Sequence, residues 1–408
     1  MEQVESVSVL KQANWLDRRC RNLVFNVFSK FTYGQLEVVE GNERSIFPKN
    51  TNNDEVIGKI QIHDSSVYRD FVKGGSIGAA EAFIEGKWSS PNLTNVIRLL
   101  AKAQQQTDSI EANKSWLNSF KNALSHWQNR NTQSGSKRNI LAHYDLGNEL
   151  YTRFLDPEMM YSSAIYPTES ATLDVAQQHK LESICQRLSL TKDDHLLEIG
   201  TGWGGLAIYA AKNYGCKVTT TTISDAQFDF AKSRIEKLGL ANQITLLKKD
   251  YRELTGTFDK VVSIEMIEAV GYDFLPSFFK QCNDRLKLGG KLLIQSITIA
   301  DQRFEHYKNN VDFIQRYIFP GGFLPSINVL AQHLTDHSQL VIESLDDIGL
   351  DYARTLAHWR DNFLASWQSI SMHGYDERFK RLWLYYLAYC EGAFLERATS
   401  TVHLVARK

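Results

Sequence analysis

The stretch "LLEIGTGWGGLAIYAAK", residues 196–212, constrains this chain more than any other. An apolar run ends in Gly200, Gly202, Gly204 and Gly205, and helix-forming residues follow at once. Each glycine gives up more backbone entropy on folding than another residue would, so a plain strand-to-helix turn does not need four. A loop this bare lets a ligand approach the backbone closely. Strand, loop and helix together form the unit from which parallel sheets with helices on both faces are built.

The same rhythm continues downstream. "HLLEIG", "KVTTTTIS", "ITLLKKD", "FDKVVSIE", "KLLIQSIT", "LVIESLDDIG" and "TVHLVARK" read as strands, with helical patterns between most of the first five. They predict a doubly wound α/β sheet of seven strands. At 408 residues the chain is long enough for a second domain. The Gln-, Asn- and Ser-rich stretch over 101–139 has linker character, which divides the chain into 1–125 and 126–408.

In the smaller part, "GQLEVVEG" and "GKIQIHD" alternate as strands, and "GGSIGAAEAFIEGKW" reads as a turn and a short helix, an α+β pattern. Its first helix, Lys11 to Phe31, repeats Leu16, Cys20, Leu23, Val27 and Phe31 beside Arg18, Arg19, Arg21 and Lys30. Packing of that stripe against the domain is the favoured reading; lying on an anionic membrane surface is the alternative. No catalytic constellation stands out here.

Composition excludes some partners. The 46 basic and 47 acidic side chains nearly cancel, so no positive field recruits nucleic acid. The five cysteines are scattered and form no C-x-x-C pair, which argues against a disulfide framework or a metal site and for a reducing interior. With no long apolar run and no basic start followed by an apolar stretch, the expected location is cytoplasmic.

The glycine loop spells G-x-G-x-x-G, yet it fits a dinucleotide poorly. Such sites carry an acid at the end of the second strand for the ribose; here that strand ends in four threonines. Trp203 would crowd a pyrophosphate, and Glu198 stands two residues before the first glycine. A ligand without phosphates but with a cationic sulfonium suits the loop better, because Glu198 can offset its charge. S-adenosylmethionine is such a ligand. A nicotinamide-dependent oxidoreductase is therefore disfavoured, and a catalytically silent lipid-binding protein is the other alternative.

At "HYDLGNELYTRFLDPEMMYSSAIYP", "LLEIGTGWGGLA", "TISDAQ", "DYREL", "IEMIEAVG", "RYIFPGGFLPS", "DYARTL" and "YYLAYCEGAF", in this order, the chain resembles the cyclopropane fatty acid synthases, including the mycolic acid cyclopropane synthases. The resemblance covers almost the whole chain. It implies a seven-stranded class I methyltransferase domain of Rossmann-like type behind a small lipid-contacting domain. It also implies S-adenosylmethionine-dependent alkylation of a double bond in phospholipid acyl chains, at the inner face of the membrane, by an enzyme that is often a homodimer.

Residue by residue, it implies that Tyr161, Ser162, Gly200, Gly202 and Trp203 touch the cofactor. Thr222, Ile223 and Gln227 match the stretch that replaces the ribose acid, and Tyr251 and Arg252 lie against the adenine. For the proton that must leave, it implies a bound bicarbonate held by Glu268, Tyr352, the backbone of Ile297, and the positions of Ser163 and Gln295; Cys390 matches a reactive-looking cysteine. Three positions depart from the family pattern: Ser163 replaces cysteine, Gln295 replaces histidine, and Ala269 replaces the histidine after the glutamate. An amide still hydrogen-bonds an anion but cannot shuttle a proton as imidazole does.

The chemistry sets further demands. An alkene is a feeble nucleophile, so it must be held dry and in line with the methyl donor, where positioning alone is worth of order 7 kcal/mol. The resulting carbocation needs carboxylate and aromatic faces rather than water. Proton loss from the new methyl closes a cyclopropane; the same cation can instead give a methyl- or methylene-branched product. The residues leave both open.

Overall fold

The computed structural model describes residues 14–48, 56–108 and 146–408. The expected boundary at 125 and most of the linker lie outside the described residues. Of those described, residues up to 108 together with Ser371–Ala398 form one compact unit, and residues from 146 to Ile370 together with Thr399–Lys408 form another.

The first unit contains α1 (Trp15–Phe28), β1 (Gln35–Glu40), β2 (Glu43–Phe47), β3 (Ile57–Ile62), α2 (Val67–Ile84), β4 (Trp88–Ser89) and α3 (Leu93–Asp108). Its sheet runs β2-β1-β3-β4, with β1 and β3 parallel. Alternation in β1 and β3 buries Leu36, Val38, Ile60 and Ile62 on one side. The helix Glu377–Leu395 also belongs here, a difference from a simple division into N- and C-terminal halves. It is held by the Tyr385 ring against Phe83 (5.5 Å) and by a Thr94 hydroxyl donating to the buried Glu391 carboxylate (2.8 Å). Its aromatic residues thus serve this unit's core.

Helix α1 starts at a capping box: the Asn14 side chain accepts from the Asp17 N–H (2.8 Å) and the Asp17 carboxylate accepts from the Asn14 N–H (3.3 Å). Its buried stripe is Cys20, Val24 and Phe28. Leu23 (57% exposed) and Val27 (56%), assigned to the packed stripe from spacing, face solvent with Leu16 and Trp15 (68%). The expectation fails there because the true stripe is rotated by one residue, with Val24 and Phe28 taking the inward places.

The second unit contains α4 (Asn148–Phe154), α5 (Leu173–Arg187), β5 (His195–Ile199), α6 (Gly205–Tyr214), β6 (Lys217–Thr222), α7 (Asp225–Lys237), β7 (Ile244–Lys248), β8 (Phe258–Ile264), α8 (Leu275–Arg285), β9 (Leu286–Ile299), α9 (Ile327–His337), β10 (Val341–Asp347), α10 (Gly349–Ala365) and β11 (Thr399–Arg407). All seven expected strands are present, in the order β10-β11-β9-β8-β5-β6-β7. The pairs from β9 to β7 are parallel, and β11 runs antiparallel to both neighbours. Leu196, Leu197, Val261, Val262, Leu292, Leu293 and Ile294 are fully buried, as central strands covered on both faces require.

The chain runs outward from β5 through β6 to β7, then crosses to β8 on the other side of β5. The carboxyl ends of β5 and β8 therefore flank a topological switch point, the place where α/β sheets bind ligands. The loop after β5 is seated tightly: a Cβ on Gly205 would fall 2.4 Å from Met160 Sδ and 3.0 Å from the Glu158 carbonyl oxygen. A Cβ on Gly202 would meet no atom within 4 Å. Gly205→Val should thus lower the melting temperature by several degrees, about 2 kcal/mol or more from overpacking. Gly202→Ala should cost about 1 kcal/mol, from its left-handed backbone alone. Thermal unfolding of the two variants checks the order.

Candidate active site

The loop after β5 takes its shape from three left-handed glycines, Gly200 (φ 102°), Gly202 (φ 53°) and Gly204 (φ 90°). Gly202 leaves a cradle that a side chain would fill. Behind it the buried Glu198 accepts from the Thr220 hydroxyl (2.6 Å), and Thr220 in turn pairs with Thr201 (2.7 Å). Burial pushes the Glu198 carboxyl up to about 8, against the lowering by Thr220. A carboxyl so poised gains most from a cation placed beside it, so the cradle and Glu198 fit the sulfonium-bearing cofactor expected from the sequence.

Trp203 does not project from the loop. Its indole is buried, donates to Asn148 Oδ1 (2.8 Å) and packs 5.0 Å from the Tyr151 ring, so α4 braces the loop. Tyr161 stacks on Trp359 (5.2 Å), and the Ser162 hydroxyl accepts from the fully buried Lys180 (2.8 Å). Beyond β6, the Thr222 hydroxyl donates to Gln227 Oε1 (3.0 Å), while half-buried Ile223 leads into α7, whose Gln227 N–H is capped by Ser224 (3.3 Å). After β7, Asp250 caps a short turn and grips Arg252 at both Nε (2.8 Å) and Nη2 (2.6 Å). Half-buried Tyr251 packs on Phe278 (5.7 Å). The threonines of β6 are β-branched strand formers whose buried hydroxyls all need partners.

The second cluster lies where β8 and β9 end. Glu268 Oε1 accepts from the Ile297 N–H (2.6 Å) and the Ser296 hydroxyl (3.2 Å); its Oε2 has no partner among the described residues. Tyr352, the Ser163 N–H and Gln295 also converge, but on a residue the sequence reading passed over. The Glu265 carboxylate accepts from the Ser163 N–H (2.9 Å), the Gln295 amide (2.7 Å) and the Tyr352 hydroxyl (2.7 Å). The Ser163 hydroxyl points elsewhere, to the Ala164 carbonyl (2.9 Å). Gln295 is oriented by the buried His403, which donates to its Oε1 (2.9 Å). Burial drives that imidazole down to about 3, so it is neutral.

Bicarbonate, expected on these residues, does not fit. All four donors meant for it are taken by carboxylates of the chain, three by Glu265 and the Ile297 N–H by Glu268. A further anion would also face two acidic side chains. Burial raises both glutamates. Glu265 is offset by its three donors and the charge of Lys180, whereas Glu268 is driven further up, to about 8, by the charge of Glu265. The donors and Lys180 thus favour the charged form of Glu265, and the charge of Glu265 favours the protonated form of Glu268.

Cys390 lies half-buried on the helix Glu377–Leu395 of the first unit, outside this cluster's unit. Ala269 occupies a single 3₁₀ turn with Glu268. Glu265 was visible in "SIEMIEAVG" as a second acid three residues before Glu268, and His403 as the polar residue within the apolar run "VHLVA". Lys180 gave no signal, since a lysine in a polar helix reads as solvated.

A test of Glu198 follows from its raised carboxyl. Below about pH 8 a cation binding beside it must expel a proton, so affinity should rise with pH up to about 8 and level off above. Calorimetry of S-adenosylmethionine binding at pH 7 should show a proton released by the wild type that Glu198→Gln does not release. Identical proton counts would contradict the role.

Residues 130–404 match the family described as mycolic acid cyclopropane synthetase. The cyclopropane-fatty-acyl-phospholipid synthase of Escherichia coli is 37% identical over 343 residues, 83% of this chain and 85% of that protein. The tuberculostearic acid methyltransferase UfaA1 of Mycobacterium tuberculosis is 36% identical over 327 residues, 78% and 76% respectively. Among solved structures, mycolic acid cyclopropane synthase CmaA1 complexed with SAH and CTAB superposes with a TM-score of 0.63 at 25% identity, over 67% of this chain and 98% of that one. The cradle at Gly202, the seven-stranded sheet and these matches converge: the chain belongs to the mycolic acid cyclopropane synthetase family and is an S-adenosylmethionine-dependent methyltransferase of fatty acyl substrates, acting by cyclopropanation or methylation.

Proposed function

We propose that this enzyme alkylates a double bond in the unsaturated acyl chains of membrane phospholipids and closes a cyclopropane. The observation that carries the reading is the enclosed pair Glu265 and Glu268 at the carboxyl ends of β8 and β9, one strand from the glycine loop. The loop Gly200–Gly204 and Glu198 would hold S-adenosylmethionine, which would supply an electrophilic methyl carbon. The chain's own residues then have three tasks.

The first is to receive the acyl chain dry. The second is to stabilise the cation that forms on it. Tyr161 stacked on Trp359, with Tyr352 edge-on to Trp359 (6.0 Å), offers aromatic faces that attract a cation without reacting with it. A negative Glu265 adds charge of the right sign. The third task is to take a proton from the new methyl group, so that its C–H electron pair closes the ring.

A bilayer substrate is supported by α1 in the first unit. Trp15, Leu16, Leu23 and Val27 are exposed beside exposed Arg18 and Arg19, the pattern of an amphipathic surface that sits in an anionic headgroup layer. No helix among the described residues is long and apolar enough to cross a membrane. A methyl-branched product is the second reading, favoured by the 36% identity to a tuberculostearic acid methyltransferase.

Turnover with a trideuterated methyl donor and unsaturated phospholipid vesicles, read by lipid mass spectrometry, decides between them. The cyclopropane reading expects a saturated product retaining two deuteriums. Three retained deuteriums on a branched chain that keeps a carbon–carbon double bond would establish the methyl product, two on an exocyclic double bond the methylene product, and reaction of free fatty acids but not vesicles would overturn the phospholipid assignment.

A further inference from the structure

We propose that Glu265 is the base of the reaction: its carboxylate, built into the chain, receives the proton that leaves the alkylated acyl chain, so that this enzyme needs no free bicarbonate. The inference rests on the alkylation reading above and deepens it.

Three independent observations carry it. The first is occupancy: the Ser163 N–H, the Gln295 amide and the Tyr352 hydroxyl, from three separate segments, all donate to one carboxylate at 2.7–2.9 Å. This is the donor set of an anion site, and the anion is covalently attached.

The second is strain. Glu265 adopts φ 46°, a left-handed backbone that favours glycine and that a long side chain takes only when its surroundings hold it there. Its N–H is tied to the Gln295 carbonyl (2.8 Å), which fixes the turn at the end of β8 and aims the side chain back between Gln295 and Tyr352. A position that would be easiest for glycine carries a glutamate whose carboxylate is fully engaged.

The third is the division of charge. Glu268, three residues on, is driven up to about 8 by burial and by the charge of Glu265, which favours its protonated form at neutral pH and disfavours it as the acceptor. The three donors and the buried Lys180 favour the charged form of Glu265 against burial, while Lys180 itself is lowered to about 8 by burial and raised by the charges of Glu265 and Asp156. Gln295, neutral and aligned by neutral His403, can donate to Glu265 but not compete for the proton.

The step balances. The C–H bond of the cationic acyl chain breaks, and its electron pair forms the new carbon–carbon bond. The proton passes to a Glu265 oxygen, turning carboxylate into carboxylic acid while the cation becomes neutral product. Transfer of that proton to water resets the site.

The test has a binding arm and a turnover arm. Carbon-13 bicarbonate is titrated, without substrate, into wild type and Glu265→Gly, which suits the left-handed backbone and frees the three donors; cofactor calorimetry and thermal melts confirm folding. The variant should broaden the bicarbonate resonance and the wild type should not. Turnover on unsaturated phospholipid vesicles is followed by release of the demethylated cofactor, with carbon dioxide stripped from the buffer.

The wild type should keep its rate. Glu265→Gln, of the same shape, should lose about 100-fold or more in kcat with little change in KM. Glu265→Gly should be slow until bicarbonate is added and should then recover. Bicarbonate binding by the wild type, or loss of wild-type turnover on stripping, overturns the proposal. A wild type inactive on every unsaturated phospholipid overturns the substrate reading instead, and the binding arm still decides the place of Glu265.

Discussion

The Glu265 carboxylate, held by the Ser163 N–H, the Gln295 amide and the Tyr352 hydroxyl, joins the parts of the second unit that chemistry requires together. Ser163 arrives on the segment after α4, Gln295 on β9 and Tyr352 on α10, far apart in sequence. Buried polar groups must find partners or destabilise the fold. Charge-assisted hydrogen bonds to one carboxylate satisfy all three donors and fix their relative positions. From this knot the remaining roles follow: Gln295 is oriented by His403, Glu268 is pushed toward its protonated form, and Lys180, bonded to Ser162, offsets the charge of Glu265.

The sheet explains why the knot lies where it does. Pairing of Ile264 with Gln295 puts the end of β8 level with the carboxyl-terminal part of β9, and the turn at Glu265 folds its side chain back over that strand. On the other side of β8, β5 ends in the glycine loop. Methyl donor and base are thus assigned to neighbouring strand ends by topology alone, and the side chains refine what the strand order has already placed. The aromatic pair Tyr161 and Trp359 stands beside Tyr352, so the same helix α10 that supplies a hydrogen bond to Glu265 also supplies a cation-stabilising face.

Much of this was legible in the sequence. Strand existence followed from short apolar runs separated by turn signals, and all seven are present; the central parallel ones were plainest, because buried parallel strands leave little freedom in composition. The glycine loop was legible because positive φ values leave few alternatives to glycine. Glu268, Tyr352, Ser163, Gln295 and Ile297 were singled out, but the donors expected to hold bicarbonate are taken by Glu265 and Glu268. Motif matching weighs one position at a time, whereas Glu265 acts by filling space that those positions leave. A lone acid after a strand looks like any surface glutamate until the register brings three donors to it. Helix α1 erred for a different reason: Leu16, Leu23 and Val27 fit the helical period as well as Val24 and Phe28 do, and only packing chose between the stripes. The helix Glu377–Leu395 was read as a possible bearer of a reactive cysteine, but which unit it joins depends on contacts across hundreds of residues.

The most direct test of the account is a high-resolution crystal structure of the wild type grown in bicarbonate. The account predicts the Glu265 carboxylate itself within hydrogen-bond distance of the Ser163 N–H, the Gln295 amide and the Tyr352 hydroxyl, with no separate anion on those donors. A planar anion bridging Ser163 and Tyr352, with Glu265 turned away from them, would contradict it.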